Sequence, residues 1–201
     1  MKTLAVLILS LLSSCTFQTD NGLDLLGESK NWKTSNYGSG GEFKLASKLA
    51  TLEMGDPICG MTWTGQELPK NNYEIELEAK RTQGNDFFVG LTFPIKDQSC
   101  SLIISGWGGT VTGLSSIDGV DASENETSCD LDINNHQWYK IKLVVSDEAI
   151  TVHLDGKQII SCPTQNRTFS IRPEVEPSKP LGLATFYTAA QYRNFYLKKL
   201  D

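Results

Sequence analysis

The chain is poor in the residues and motifs on which common hydrolytic chemistries rest. It has only two histidines, His136 and His153, and neither lies in a motif with a partner acid or nucleophile. It has no G-x-S-x-G elbow, no phosphate-binding P-loop and no H-E-x-x-H, which removes support for serine-hydrolase, nucleotide-dependent and zinc-protease readings. Positive charge is also short. Eighteen Lys and Arg face 24 Asp and Glu, a formal charge of −6, and the basic residues are scattered. A nucleic-acid partner needs a clustered basic face, so neutral or polar ligands fit better. Long apolar runs of helical period are missing as well. What is abundant is glycine, with 17 residues, alongside Thr, Val, Ile and aromatic residues, which points to an all-β chain.

The one long, mostly apolar stretch comes at the start. Lys2 precedes a run from Leu4 to Leu12, too short to span a bilayer as a helix and suited to the h-region of an export signal. It leads into Leu12-Ser13-Ser14-Cys15, the pattern of a bacterial lipobox, in which Cys15 takes a diacylglyceryl group and becomes the mature N-terminus. The alternative is an ordinary secretory signal in which Cys15 falls by chance. Two or three acyl chains anchor a protein almost permanently, where one holds only marginally. Thr16 rather than Asp follows the cysteine, which favours the outer membrane, on its periplasmic face, or the cell surface. The expected division is therefore a signal peptide at 1–14, lipidated Cys15 and a polar tether through residue 30, and one domain from 31 to 201.

Four further cysteines, Cys59, Cys100, Cys129 and Cys162, have no C-x-x-C metal spacing. In an exported chain they suggest one or two structural disulfides, with buried free thiols as the alternative. Three pairings are possible and the spacing selects none.

Strand signals follow one another at short intervals from residue 42 onward. Residues 72–81, NYEIELEAKR, alternate cleanly, with Tyr73, Ile75, Leu77 and Ala79 on one face and Glu74, Glu76, Glu78 and Lys80 on the other. The first face is expected in a core and the second in water, rather than as a glycosidase carboxylate pair. DFFVGLTF, CSLIIS and TVTGLS follow. WYKIKLVV and AITVHLDGKQIISC form hairpins with a tight turn at Asp155-Gly156, and YRNFYLKKL closes the chain. The outline is a sandwich of two antiparallel sheets. Residues 118–135, DGVDASENETSCDLDINN, are long, acidic and without strand pattern, as functional loops often are.

Trp107 stands between Gly106 and Gly108-Gly109, where a ring can lie exposed beside a close-approaching ligand, and is the leading candidate for a stacking platform. Trp63 has a similar setting, whereas Trp138 is expected in the core. Asp118, Asp121, Glu124, Asn125 and Glu126 offer a base or hydrogen bonds to hydroxyls, with a solvated loop as the alternative. The spacing is not that of an EF-hand, and no metal is assigned.

The C-terminal third, with ITVHLDGKQII, LGLATF and YRNFYLKKL, resembles the jelly-roll domain of the concanavalin A-like lectin/glucanase superfamily. More narrowly, the order NYEIELEAKR, GNDFFVGLTF, WYKIKLVV, LDGKQI, LGLATF and YRNFYLKKL resembles the 3-keto-disaccharide hydrolase family over nearly all of residues 32–200. That resemblance implies action on sugars oxidised at C3: a base removes the acidified C2 proton, the C1 substituent leaves, and water adds to the enone. Many members read G-N-S-G-I with an arginine after the next strand. This chain has Gly84-Asn85-Asp86-Phe87-Phe88-Val89-Gly90 and no such arginine, so a site rebuilt around Trp107 and the following loop is expected. On this reading Asp118 and Glu126 are the catalytic candidates, and Trp107, Trp63, Asn85, Asp86, Asp121 and Asn125 bind substrate, on a concave sheet. No cofactor is identified. The partners are carbohydrate and, through Cys15, a membrane. A non-catalytic carbohydrate-binding or envelope interaction module of the same fold is the rival reading.

Overall fold

In a computed structural model of the chain, residues 22–38 and 40–200 are described; the export signal, Cys15 and the first part of the tether lie outside them. The strands in chain order are β1 (Leu23–Asp24), β2 (Trp32–Thr34), β3 (Phe43–Ala46), β4 (Leu49–Leu52), β5 (Ile58–Trp63), β6 (Tyr73–Gly84), β7 (Val89–Ile95) and β8 (Gln98–Gly106). They continue with β9 (Val111–Ser115), β10 (Cys129–Asp130), β11 (Tyr139–Val145), β12 (Ala149–Leu154), β13 (Lys157–Pro163), β14 (Gly182–Phe186) and β15 (Thr188–Lys199). Two 3-10 turns, Ser29–Asn31 and Pro173–Ser178, are the helical elements among the described residues, and none of the helices there is long and apolar enough to cross a membrane.

Pairing is antiparallel and builds two sheets. One has the order β13-β12-β11-β6-β15-β4-β3, with β1 beside β15; the other runs β10-β9-β8-β7-β14-β5-β2. Packed face to face, they make a jelly-roll sandwich of the concanavalin A-like kind. The period-two pattern of β6 decides its facing. Tyr73, Ile75, Leu77 and Ala79 are buried, while the intervening glutamates look outward to Lys140, Lys142 and Arg193. Each large apolar side chain so buried contributes about 1.5–3 kcal/mol. Two core tyrosines satisfy their hydroxyls across the sandwich, Tyr73 donating to the Pro94 carbonyl at 2.5 Å and Tyr192 to that of Phe88 at 2.5 Å. Both therefore tie the first sheet to β7 or the residue before it.

Several features differ from what the sequence suggests. The domain begins within the expected tether: Leu25 and Leu26 are buried, and the Leu25 carbonyl accepts the Trp32 indole N–H at 2.6 Å. Ile58–Trp63 is a strand buried on both faces, and such strands read as continuous runs without alternation. Trp138 is not in the core. Its ring lies on the outer face in contact with Lys80, 4.7 Å from the ring centre, and Arg193, at 4.1 Å. The core place in that dipeptide belongs to Tyr139. The four cysteines are free thiols instead of disulfides. Burial pushes the Cys59 thiol up to about 11, and Cys100 and Cys162 are raised by burial as well. Thiols so protonated at neutral pH behave as small apolar side chains.

Candidate functional site

The inner face of the second sheet carries Met61, Val89, Leu91, Phe93, Leu102, Ile104 and Leu183 into the core. Its outer face carries small and polar residues, among them Gly90, Thr92, Ser101, Gly113 and Ala184. The segment around Pro173–Ser178 lies over part of that face, packing on β5 and β14. The Thr62 hydroxyl donates to the Pro177 carbonyl at 2.6 Å, and Tyr37 shares a 2.6 Å hydroxyl contact with Ser178. What this cover leaves open is a cavity of about 440 Å³, within the usual range for small-molecule sites.

Ser101, Ile103 and Ser115 line the cavity from β8 and β9, and Pro57, Ile58, Phe87, Phe186, Val175 and Trp107 give it apolar walls. Asp86, Arg172 and Glu174 supply charge. Phe87 and Phe186 stack with ring centres 5.8 Å apart and planes 29° apart, so one continuous aromatic surface spans from the start of β7 to the end of β14. Phe88 takes the opposite direction into the core.

Trp107 is 43% exposed, which is high for the largest apolar side chain. Its position is imposed by the turn that holds it. Trp107 has φ 51°, and Gly109 has φ 124° with a Cβ position only 2.4 Å from the Asn85 carbonyl oxygen, so only glycine fits there. Asp86 clamps the same turn. One carboxylate oxygen accepts the Gly108 N–H at 2.9 Å and the other the Phe87 N–H at 2.7 Å. Beneath the turn the Ser105 hydroxyl donates to the Gly109 carbonyl at 2.5 Å and accepts from Arg81 Nη1 at 3.0 Å.

Arg172 reaches the cavity held between two carboxylates, Asp121 at 2.5 Å and Glu174 at 2.8 Å. Asp121 is in turn fixed by the hydroxyls of Ser115, at 3.2 Å, and Ser116, at 2.8 Å. The Arg172 hydrogen bond holds the Glu174 carboxyl below its ordinary value of 4.5. Glu174 is therefore ionised at neutral pH, and the same bond, with the neighbouring charges, raises Arg172 further.

The residues singled out from sequence divide accordingly. Trp107 and Asp86 line the cavity, and Asp121 stands behind Arg172. Asn85 is exposed and contributes its backbone to the Trp107 turn. Asn125 organises the acidic loop from inside, donating to the Leu114 and Val120 carbonyls at 2.8 and 3.0 Å and accepting from Thr127. Asp118 and Glu126 do not line the cavity; both pair with Arg167, Asp118 at 2.9 Å, and Asp118 also accepts the Thr168 N–H at 2.7 Å. Trp63 is buried, edge-on to Trp32 at 5.3 Å, with its indole N–H on the Gln66 carbonyl. Neither His136 nor His153 lines the cavity. Among the described residues no group of three or more His, Cys, Asp or Glu side chains is disposed to hold a metal ion.

Arg172, Glu174, Phe186 and Phe87 are cavity residues that sequence reasoning passes over. The doubled phenylalanine at 87–88 was a usable signal, since adjacent aromatic residues leading into a strand tend to face opposite sides. Arg172 and Glu174 sit in a proline-marked loop, where nothing in the sequence specifies that it folds back over the sheet.

Fold and cavity together define a concanavalin A-like jelly roll with a ligand-sized pocket on the outer face of one sheet. The chain belongs to the 3-keto-alpha-glucoside-1,2-lyase-like domain family, whose sequence pattern it matches over residues 31–198. No curated protein sequence matches it. Solved structures with the same fold include a protein of unknown function with a galectin-like fold from Bacillus subtilis, at 11% identity and TM-score 0.60, covering 88% of this chain and 94% of that one. A Crh5 transglycosylase in complex with NAG is similar at 11% identity and TM-score 0.58, over 89% of this chain and 82% of its own. The carbohydrate-binding module CBM66 from Bacillus subtilis matches at 11% identity and TM-score 0.53, over 84% and 96%.

Proposed function

We propose that the cavity on the seven-stranded sheet binds a pyranose ring oxidised at C3, and that the protein cleaves such glycosides by elimination followed by hydration. The observation that carries this reading is the Arg172–Glu174 pair beside an aromatic wall, in a chain of the 3-keto-alpha-glucoside-1,2-lyase-like family. The NAG complex and the carbohydrate-binding module of the same fold support a sugar as the ligand.

The chemistry assigns a role to each group. A C3 ketone acidifies the proton on C2. Glu174, ionised at neutral pH, takes that proton. The electron pair moves onto the ketone oxygen, where the fixed positive charge of Arg172 stabilises the enolate. As the enolate collapses, the C1–oxygen bond breaks and the departing oxygen takes up the proton that Glu174 carries. Water then adds across C1=C2, and the sum is hydrolysis. Trp107 and the Phe87–Phe186 surface hold the ring against its apolar face, while Ser101 and Ser115 meet hydroxyls. Asp118 and Glu126, engaged by Arg167, have no part in this scheme. The rival reading is a carbohydrate-binding module without turnover, and one observation favours it: both Asp86 oxygens accept backbone N–H groups and Glu174 is ion-paired, so neither cavity carboxylate is free.

The direct test incubates the protein with 3-keto-sucrose or 3-keto-trehalose and follows released monosaccharide. Release is expected; binding without release selects the rival, and neither binding nor release rejects the site. Trp107→Ala removes a ring worth about 0.5–1.5 kcal/mol beyond its contact area. It is expected to weaken sugar binding at least severalfold in calorimetric titration while leaving the melting temperature nearly unchanged, because the ring is exposed.

We also propose that the domain works in the cell envelope, anchored by a lipid on Cys15, on the strength of the Lys2-to-Cys15 pattern. Metabolic labelling with an alkyne fatty acid is expected to mark the protein and not its Cys15→Ser variant. Equal labelling of both would sink the proposal.

A further inference from the structure

Only two aromatic side chains stand among the large apolar residues exposed on the described surface, Trp107 and Tyr187; Trp107 lines the cavity, and Tyr187 packs against Phe186, which lines it too. Tyr187 is 49% exposed and has φ 43°, a left-handed conformation that is a real outlier for a bulky residue. Such strain persists where the surroundings over-determine it, and it gathers at ligand sites. Here the backbone is fixed on both sides. The Tyr187 N–H donates to the Pro57 carbonyl at 2.7 Å, and the next residue's hydroxyl, on Thr188, accepts the Asp86 N–H at 3.2 Å. Pro57 and Asp86 both line the cavity. The ring meets Phe186 at 5.0 Å with planes 84° apart, so a second aromatic plane stands at right angles to the Phe87–Phe186 wall, just outside it. The Tyr187 hydroxyl makes no hydrogen bond to the described residues.

We infer that Tyr187 is a second platform, which carries the sugar unit lying outside the cavity and leaving from C1. This rests on the proposed reading of the cavity as a site for 3-keto-glycosides. The inner ring lies against Trp107 and the phenylalanines, and the glycosidic bond turns the outer ring onto Tyr187. The site then selects disaccharides over simple alkyl glycosides, with Tyr187 as the residue that sets the preference.

The test compares 3-keto-trehalose with methyl 3-keto-glucoside, titrated calorimetrically into the full protein in the Glu174→Gln background so that the ligand stays intact. Tyr187→Asn removes the ring and retains a residue at home in the left-handed region. It is expected to weaken 3-keto-trehalose about fivefold or more and methyl 3-keto-glucoside less than about twofold. Tyr187→Phe, which keeps the ring, is expected to match the parent with both ligands, and Trp107→Ala to weaken both. If Tyr187→Asn leaves the ratio of the two affinities unchanged while Trp107→Ala still weakens both, the outer platform is overturned and the cavity reading stands. If neither variant weakens either ligand, the cavity reading falls and the platform with it.

Discussion

Glu174→Gln is expected to lower turnover of a 3-keto-glycoside by about 10²–10⁴-fold, the range typical of removing a general base, with the dissociation constant of the sugar changed far less. The substitution keeps the side-chain length and one acceptor facing Arg172, so the cavity retains its shape while losing its proton acceptor. Arg172 adds a second expectation from the same pair. Arg172→Gln removes the charge opposite the developing enolate, a loss in the range of about 10²–10³ for one stabilising donor. It also returns Glu174 toward its ordinary value. The pH profile of the wild type follows from the direction of the Glu174 shift. Its carboxyl is held below 4.5 by Arg172, so the base is fully ionised across the neutral range and the acid limb of kcat/KM lies below pH 4.5. In Arg172→Gln that limb moves up in pH. Steady-state rates across pH 3–8 on the wild type and Arg172→Gln check both statements. Full activity in Glu174→Gln would move the base elsewhere.

The fold was legible because its determinants are local and repetitive. The alternation from Tyr73 to Lys80, the turn at Asp155-Gly156 and the largely aromatic apolar pattern of the closing strand each specify a facing, and the facings agree on two sheets around one core. The cavity was only half legible. Trp107 declares itself because glycines flank it on both sides, and Asp86 because it stands where the family's G-N-S-G-I pattern is broken. The acidic loop was readable as a feature but not as a role. Its carboxylates look alike in sequence, and what separates them is which arginine arrives: Arg167 takes Asp118 and Glu126, and Arg172 takes Asp121. Both arginines come from the segment between β13 and β14, roughly 40 to 50 residues downstream of the carboxylates they meet, and no local pattern encodes such a long-range meeting. Trp63 shows the converse. Its glycine neighbours imitate those of Trp107, yet the strand beside it is covered on both faces and the ring goes inside.

Arg81 is where the largest loss of stability is expected. It is 6% exposed and pairs with no carboxylate among the described residues; instead it spends its guanidinium on four oxygens. Nε donates to Asn135 Oδ1 at 2.5 Å, Nη1 to the Asp86 carbonyl at 3.2 Å and to Ser105 Oγ at 3.0 Å, and Nη2 to the Ile133 carbonyl at 2.6 Å. Burial lowers its pKa, and the hydrogen bonds offset that cost. These contacts join the end of the acidic loop to both supports of the Trp107 turn, since Asp86 binds Gly108 and Ser105 binds Gly109. Arg81→Met keeps the length and strands the acceptors, each worth about 1–3 kcal/mol where water cannot reach. The exposed Asn135 can turn to solvent, and the charge no longer has to be buried, so the net loss is expected near 3 kcal/mol. For a domain of this size that lowers the melting temperature by roughly 6–12 °C. Arg81→Lys should fall between, because an ammonium cannot serve three directions with the planar fork of a guanidinium. The second readout is local. Acrylamide quenching of the exposed Trp107 should increase in Arg81→Met at temperatures well below its transition, as the turn loses its supports. A variant that melts like the wild type and quenches like it would show that Arg81 neither stabilises the domain nor holds the platform.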